Sequence, residues 1–166
     1  MIDLNTEAAM IDLELRARIA DLYAAYAECI CDGDLAQWPE FFREDCLYRI
    51  VPRTNHERGL RIGPMFAESK GALVDRITAI KETQVHAARA LNHNVSGIRI
   101  VSVDGALIHS RSMITVYQTL VDGTTRLLLT ARTFDKLDNT GGDLKIVERL
   151  VVFDSELIAG ALVYPV

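Results

Sequence analysis

Four histidines, His56, His86, His93 and His109, and three cysteines, Cys29, Cys31 and Cys46, are the residues whose types could carry metal or acid–base chemistry. A mononuclear non-haem iron needs two histidines and a carboxylate converging on one face of the metal. No two of these histidines stand at the spacing with which a helix chelates, which leaves only a site assembled across the fold. Cys29 and Cys31 are two positions apart, and on a helix that separation turns their thiols about 200° from each other. They cannot share one metal there, and the three cysteines read as small apolar residues in a reducing compartment. His93 titrates in the range useful to a general base. Its neighbours in sequence identify no carboxylate partner, although Asp45 or Glu148 could approach through the fold. The competing expectation makes His93 a hydrogen-bonded structural residue at a strand start and Asp45 a turn residue bonding backbone amides. Trp38 and Tyr48 are expected in the core with their polar tips satisfied locally.

Arg49, Arg53, Arg58 and Arg61, opposed only by Glu57, form the one locally basic segment of an acidic chain. Such a run is either a solvated loop or a set of guanidinium groups placed to bind carboxylates on a partner subunit.

These residues must be positioned by a small number of elements. Ile11, Leu15, Ile19, Leu22, Tyr26 and Ile30 recur at helical spacing and predict a helix with one buried face. Asp32-Gly33-Asp34 should stop it and cap a short second helix over Leu35–Phe42. Cys46–Val51 reads as a strand, 52–59 as a polar loop, 60–68 as ambiguous, and Lys70–Thr83 as a third, amphipathic helix. Beyond residue 90, turn signals at Val103-Asp104-Gly105, Asp122-Gly123 and Asp138–Gly142 divide β-branched runs into four strands. These are Asn92–Val103, Ala106–Val121, Thr124–Leu137 and Asp143–Asp154, an antiparallel meander of long strands that must curve. The expected class is α+β: helices on one face of a curved, mainly antiparallel sheet.

Period-two alternation places Met113, Thr115, Tyr117 and Thr119 on one face of the second long strand and Ile114, Val116 and Leu120 on the other. In the last strand Leu144, Ile146, Leu150 and Val152 oppose Val147, Val151 and Phe153. Both faces are substantially apolar, so the helix-free face calls for cover by another chain, with Arg53, Arg58 and Arg61 at its rim.

The 166 residues, 49% hydrophobic and 25% charged, fit one domain spanning 1–166 without repeats or linkers. The formal charge of -5, without a Lys/Arg stripe, argues against nucleic acid. No stretch approaches the ~18 apolar residues of a membrane span, and no leader precedes the first helix, so a cytoplasmic location is expected.

The segment Gln37–Tyr48 resembles the helix-to-strand entry of the small (β) subunits of bacterial aromatic-ring-hydroxylating oxygenases, in which a Trp, a Phe, an Asp and a Tyr recur in that order. Gly59-Leu60-Arg61 through Asp75-Arg76-Ile77, and His93–Ile100, are similar to two further blocks of that family. Within it, Pro52–Leu60 looks most like subunits serving aromatic-acid hydroxylases of the terephthalate and salicylate type. The chain departs from the family where an Arg-His pair usually precedes Val-Ser, since Asn92-His93-Asn94 stands there. The resemblance implies a cone-shaped, nuclear transport factor 2-like (cystatin-like) domain. It also implies assembly with a large α subunit, commonly as three α and three β chains. That subunit holds a Rieske two-iron cluster and a mononuclear iron, while the small chain has no catalytic, cofactor-binding or metal residues of its own. The spacings agree, because Rieske ligands come as Cys-x-His and Cys-x-x-His and neither follows any cysteine here. Fold alone also admits a lyase or isomerase using His93 and Asp45 in the cone, or a small-ligand binding protein.

Overall fold

The computed structural model describes residues 4–82, 88–156, 158 and 162–166, with side chains from 13 onward. Helix α1 runs from Leu4 to Cys31. Its buried stripe includes Ile19, Tyr23, Tyr26 and Ile30, so the helical spacing is borne out and Tyr23 joins the stripe. Gly33, at φ +73°, ends the helix. Its N–H donates to the carbonyl of Ile30, and Asp34 N–H reaches back to that of Cys29, closing the last turn in a Schellman arrangement. Asp34 does not cap a second α-helix. In place of the helix expected over Leu35–Phe42 there is a 3₁₀ turn, Trp38–Phe41, whose N-cap is Gln37 and whose early proline is Pro39. Phe42 already belongs to strand β1, Phe42–Pro52. The expected polar loop contains a short helix, α2, Arg53–Glu57. The ambiguous stretch supplies strand β2, Met65–Ala67, and helix α3 spans Lys70–Glu82. Thr83 and His86 lie outside the described residues.

Strands β3 (Arg89–Asp104), β4 (Leu107–Leu120), β5 (Thr125–Asp138) and β6 (Lys145–Phe153) follow. They form the antiparallel meander, and the sheet order is β2-β1-β6-β5-β4-β3, with β1 parallel to β6. The inner face, under α1 and α3, carries Ile108, Ile114 and Val116 of β4, Leu129, Ala131 and Leu137 of β5, and Val151 and Phe153 of β6, all buried. Two bulges re-aim side chains. In β6, Leu137 pairs with Ile146 but Lys136 pairs with Glu148, leaving Val147 as the extra residue. Ile146 therefore shares the inner face with Arg149 and Val151, while Leu150 and Val152 point outward. The face assignment made from simple alternation is corrected at that point. In β3, Ser96 pairs with Met113 and Arg99 with Arg111, one residue too many on β3. Gly97, at φ +60°, makes that bulge possible.

Candidate functional site

Charged groups lie inside the sheet's apolar face. Arg149 is fully buried, and Asp135, its cross-strand neighbour, is 2% exposed. Arg149 Nη1 stands 3.4 Å from Asp135 Oδ2. Its guanidinium carbon lies 4.2 Å from the ring centroid of Tyr26 and 5.4 Å from that of Tyr23, so two aromatic faces share the cation with the carboxylate. The hydroxyl of Tyr23 donates to Asp135 Oδ2 at 2.6 Å, and Thr133 Oγ1 donates to the same oxygen at 3.1 Å. Because the Tyr23 proton is committed, Ser110 must donate in its 2.5 Å contact with the tyrosine oxygen. Burial lifts the Asp135 carboxyl above the ordinary carboxylate range against the opposing pull of Arg149. Burial and then the Asp135 charge push the Tyr23 hydroxyl well above the usual tyrosine range, so it remains a donor.

Sequence reasoning missed this cluster because a charged residue on a strand normally points to water. The signal was present for Asp135, which alternates in phase with the apolar Leu129, Ala131 and Leu137. It was present for Arg149 as well, which alternates in phase with Val151 and Phe153; the Val147 bulge hid only that Ile146 joins them.

His93 sits on β3 at 8% exposure, and its backbone N–H meets Cys31 Sγ at 3.2 Å. Neither ring nitrogen has a partner among the described residues, contrary to the expected hydrogen-bonded ring. Burial, helped by the charge of Arg149, lowers its pKa to about 3, so the imidazole is neutral at physiological pH. Asp45 is exposed on β1, with three strands between it and β3 in the sheet, and it makes no side-chain hydrogen bond among the described residues. Glu148 faces outward, held by Arg49 at 2.8 Å and Lys136 at 2.7 Å. The fold therefore does not bring His93 together with either proposed carboxylate.

Trp38, Phe42 and Tyr48 pack edge to face with centroids 5.2–5.9 Å apart. The Tyr48 hydroxyl is satisfied far from its own segment, donating to the Val166 carbonyl and accepting from Val166 N–H, while the Trp38 indole N–H finds no partner among the described residues. Cys29 and Cys46 are pushed up to about 11, first by burial, which suits inert thiols. His56 stacks on Phe134, with centroids 5.4 Å apart. His109 lies on β4 beside Lys136 of β5. Among the described residues, no group of three His, Cys, Asp or Glu side chains is placed to hold a metal.

The basic segment is divided between two roles. Arg49 pairs with Glu148 and Arg53 with Asp154 inside the chain. Arg58 and Arg61 are exposed and unpaired among the described residues. On the outer sheet face Met113, Tyr117 and Leu127 are 51%, 40% and 53% exposed, whereas Val152 is buried. The expected apolar patch exists, but α2, which packs against β1 and β6, covers part of that face.

Comparison with known proteins matches residues 26–160 to the family described as ring hydroxylating beta subunit. The β1 subunit of the terminal oxygenase component of terephthalate 1,2-dioxygenase from Comamonas is 30% identical over 148 residues, covering 89% of this chain and 96% of that one. A crystal structure from Novosphingobium aromaticivorans, of a β subunit assigned to an aromatic-ring-hydroxylating dioxygenase, superposes with a TM-score of 0.85. It is 31% identical, covering 92% of this chain and 97% of that one. A nuclear transport factor 2-like protein with a cystatin-like fold from the same organism is 22% identical, with a TM-score of 0.65 and coverage of 92% and 91%, which supports the shared fold.

Proposed function

Because the chain belongs to the ring-hydroxylating β-subunit family, we propose that it is the small subunit of an aromatic-ring-hydroxylating oxygenase and serves assembly rather than the chemical step. In this reading the chain acts as one domain, cytoplasmic, beside a large α subunit and further copies of itself in an α3β3-like complex. The observation that carries the proposal is coverage: the similarity extends over 96% of the terephthalate relative, leaving little of either chain outside it. The names of the terephthalate and anthranilate relatives favour an aromatic carboxylate as the substrate of the whole oxygenase. The Rieske cluster and the mononuclear iron belong in this reading to the α subunit, since the cysteine and histidine spacings of this chain fit neither site.

The interior supports a role without catalytic residues. A general base must reach the proton it removes. The ring nitrogens of His93 are shut away, and Asp45 is on another part of the surface. Asp135, the buried carboxylate, has Oδ2 engaged by Arg149, Tyr23 and Thr133, while Oδ1 is shut inside the same face without a partner among the described residues.

Co-expression with a ring-hydroxylating large chain, sought in the neighbouring reading frame, tests the proposal. The two should co-elute, with iron and Rieske absorption following the large chain, and His93→Gln should retain most turnover in the intact complex. Near one iron per chain in this subunit purified alone and reconstituted anaerobically, or a loss beyond about a hundredfold in the intact His93→Gln complex, would overturn it.

A further inference from the structure

The outer sheet face carries a cluster of arginines that the chain itself leaves uncompensated. Arg99 stands directly opposite Arg111 across β3 and β4, and Arg132 pairs with Met113, one step diagonal to Arg111. Like charges directly opposite on a sheet are destabilising, so this arrangement does nothing for the isolated fold. All three are exposed, and none makes an ion pair among the described residues. Arg111 lies over the Phe134 ring at 5.0 Å. Two carboxylates of neighbouring chain segments are committed elsewhere, Glu148 to Arg49 and Lys136, and Asp154 to Arg53.

The cluster is a product of the fold. Without the bulge at Gly97, the strand's alternation would turn Arg99 toward the core side. With it, Arg99 joins Arg111 outside and Ile98 packs against the core. The half-exposed Met113, Tyr117 and Leu127 lie on the same face. Arginine, methionine and tyrosine with few acidic residues is the composition enriched in protein–protein interfaces.

We propose that this arginine cluster, flanked by Met113 and Tyr117, is the docking surface for a carboxylate-bearing surface of the large subunit; the inference rests on the small-subunit reading. A second copy of this chain fits the surface poorly. A two-fold contact of sheet on sheet would set the arginines against their own copies. Three exposed acidic side chains, Glu14, Asp21 and Glu28, lie on α1, on the opposite side of the sheet. A head-to-tail contact between opposite faces closes into a ring only where its rotation allows, and otherwise grows an open filament. An acidic partner of different sequence meets neither objection.

The test is co-expression of the full chain with the large subunit, comparing wild type, Arg99→Glu/Arg111→Glu/Arg132→Glu and Arg58→Glu/Arg61→Glu by size-exclusion chromatography at low salt. All three substituted sheet residues are exposed, and circular dichroism checks that the variant chains stay folded. The triple variant should lose co-elution, corresponding to an affinity loss of about a hundredfold or more, while the loop variant assembles like wild type. Neutral Gln replacements at the three sites should fall between. Normal assembly of the triple charge reversal overturns the docking inference alone. Failure of the wild type to assemble with the large subunit overturns the small-subunit reading and the inference with it.

Discussion

The two faces of one sheet treat arginine in opposite ways. On the inner face Arg149 has no contact with water, and it is held by a carboxylate and two tyrosine rings. On the outer face Arg99, Arg111 and Arg132 lie close together in water with no carboxylate among the described residues. The difference follows from solvation. A buried charge must find compensation within its own chain, because removing it from water is strongly unfavourable. An exposed charge can remain unpaired at little cost until a partner arrives. The inner cluster therefore tells how the chain folds, and the outer one where it meets another molecule.

The largest effect should come from breaking the inner compensation. Asp135→Ala leaves Arg149 buried against two tyrosine rings with no counter-ion, which should destabilise the chain by about 3–5 kcal/mol. Urea unfolding followed by circular dichroism measures it. Replacing both partners, Asp135→Leu with Arg149→Met, should recover much of that loss, because two apolar side chains leave no charge stranded. If the double variant is as unstable as the single one, the cluster is held by packing geometry rather than by charge compensation.

How much of this was legible in the sequence depends on whether local periodicity or long-range pairing decides the structure. The stripe of α1 and its stop at Gly33 are local and were readable, as were the turns that separate β3 to β6. The helix expected over Leu35–Phe42 failed because edge-to-face packing of Trp38, Phe42 and Tyr48 draws Phe42 into β1. The placement of Arg99, and that of Ile146 on the same face as Arg149, each depend on one bulge residue, and a single extra residue flips every side chain that follows it. Simple alternation cannot locate such an insertion. The basic segment was visible as a cluster, but its division between intramolecular pairs and free arginines depends on Glu148 of β6 and on Asp154 just after it, about a hundred residues away in sequence.

A second, smaller effect separates the faces by pH. The folded pKa of His93 is about 3, against 6.5 for the free side chain. Below the free value the unfolded chain binds a proton that the native chain refuses, so stability falls as pH drops from about 6.5 toward 3. Between pH 7 and pH 5 this one group should remove about 2 kcal/mol. His93→Gln removes the titration, so its stability should fall by that much less over the same interval. Urea midpoints of wild type and variant at both pH values give the comparison, since all other groups titrate alike in the two proteins. Equal acid sensitivity would mean that His93 protonates in the native state, and its neutral, shut-in environment would be wrong.

The smallest effect concerns the residue that aims Arg99 outward. Gly97 has φ +60°, a conformation that side-chain-bearing residues adopt with difficulty, and a Cβ added there would come within 2.5 Å of Met113 Cε. The close atom is the end of a flexible, half-exposed side chain that can move aside, so the backbone conformation should account for most of the loss. Gly97→Ala should therefore destabilise the chain by about 1–2 kcal/mol. Adding Met113→Ala removes the steric contact but leaves φ unchanged, so Gly97→Ala should cost nearly as much in that background as in the wild type. Gly97→Asn, a residue that tolerates the left-handed region, should cost least. A double-mutant cycle by urea unfolding separates the two contributions. If Met113→Ala abolishes the cost of Gly97→Ala, packing against Met113 rather than the bulge conformation requires the glycine. In the Gly97 variants that keep Met113, Arg99 should still face outward and assembly should persist, because substitution strains the bulge without deleting its extra residue.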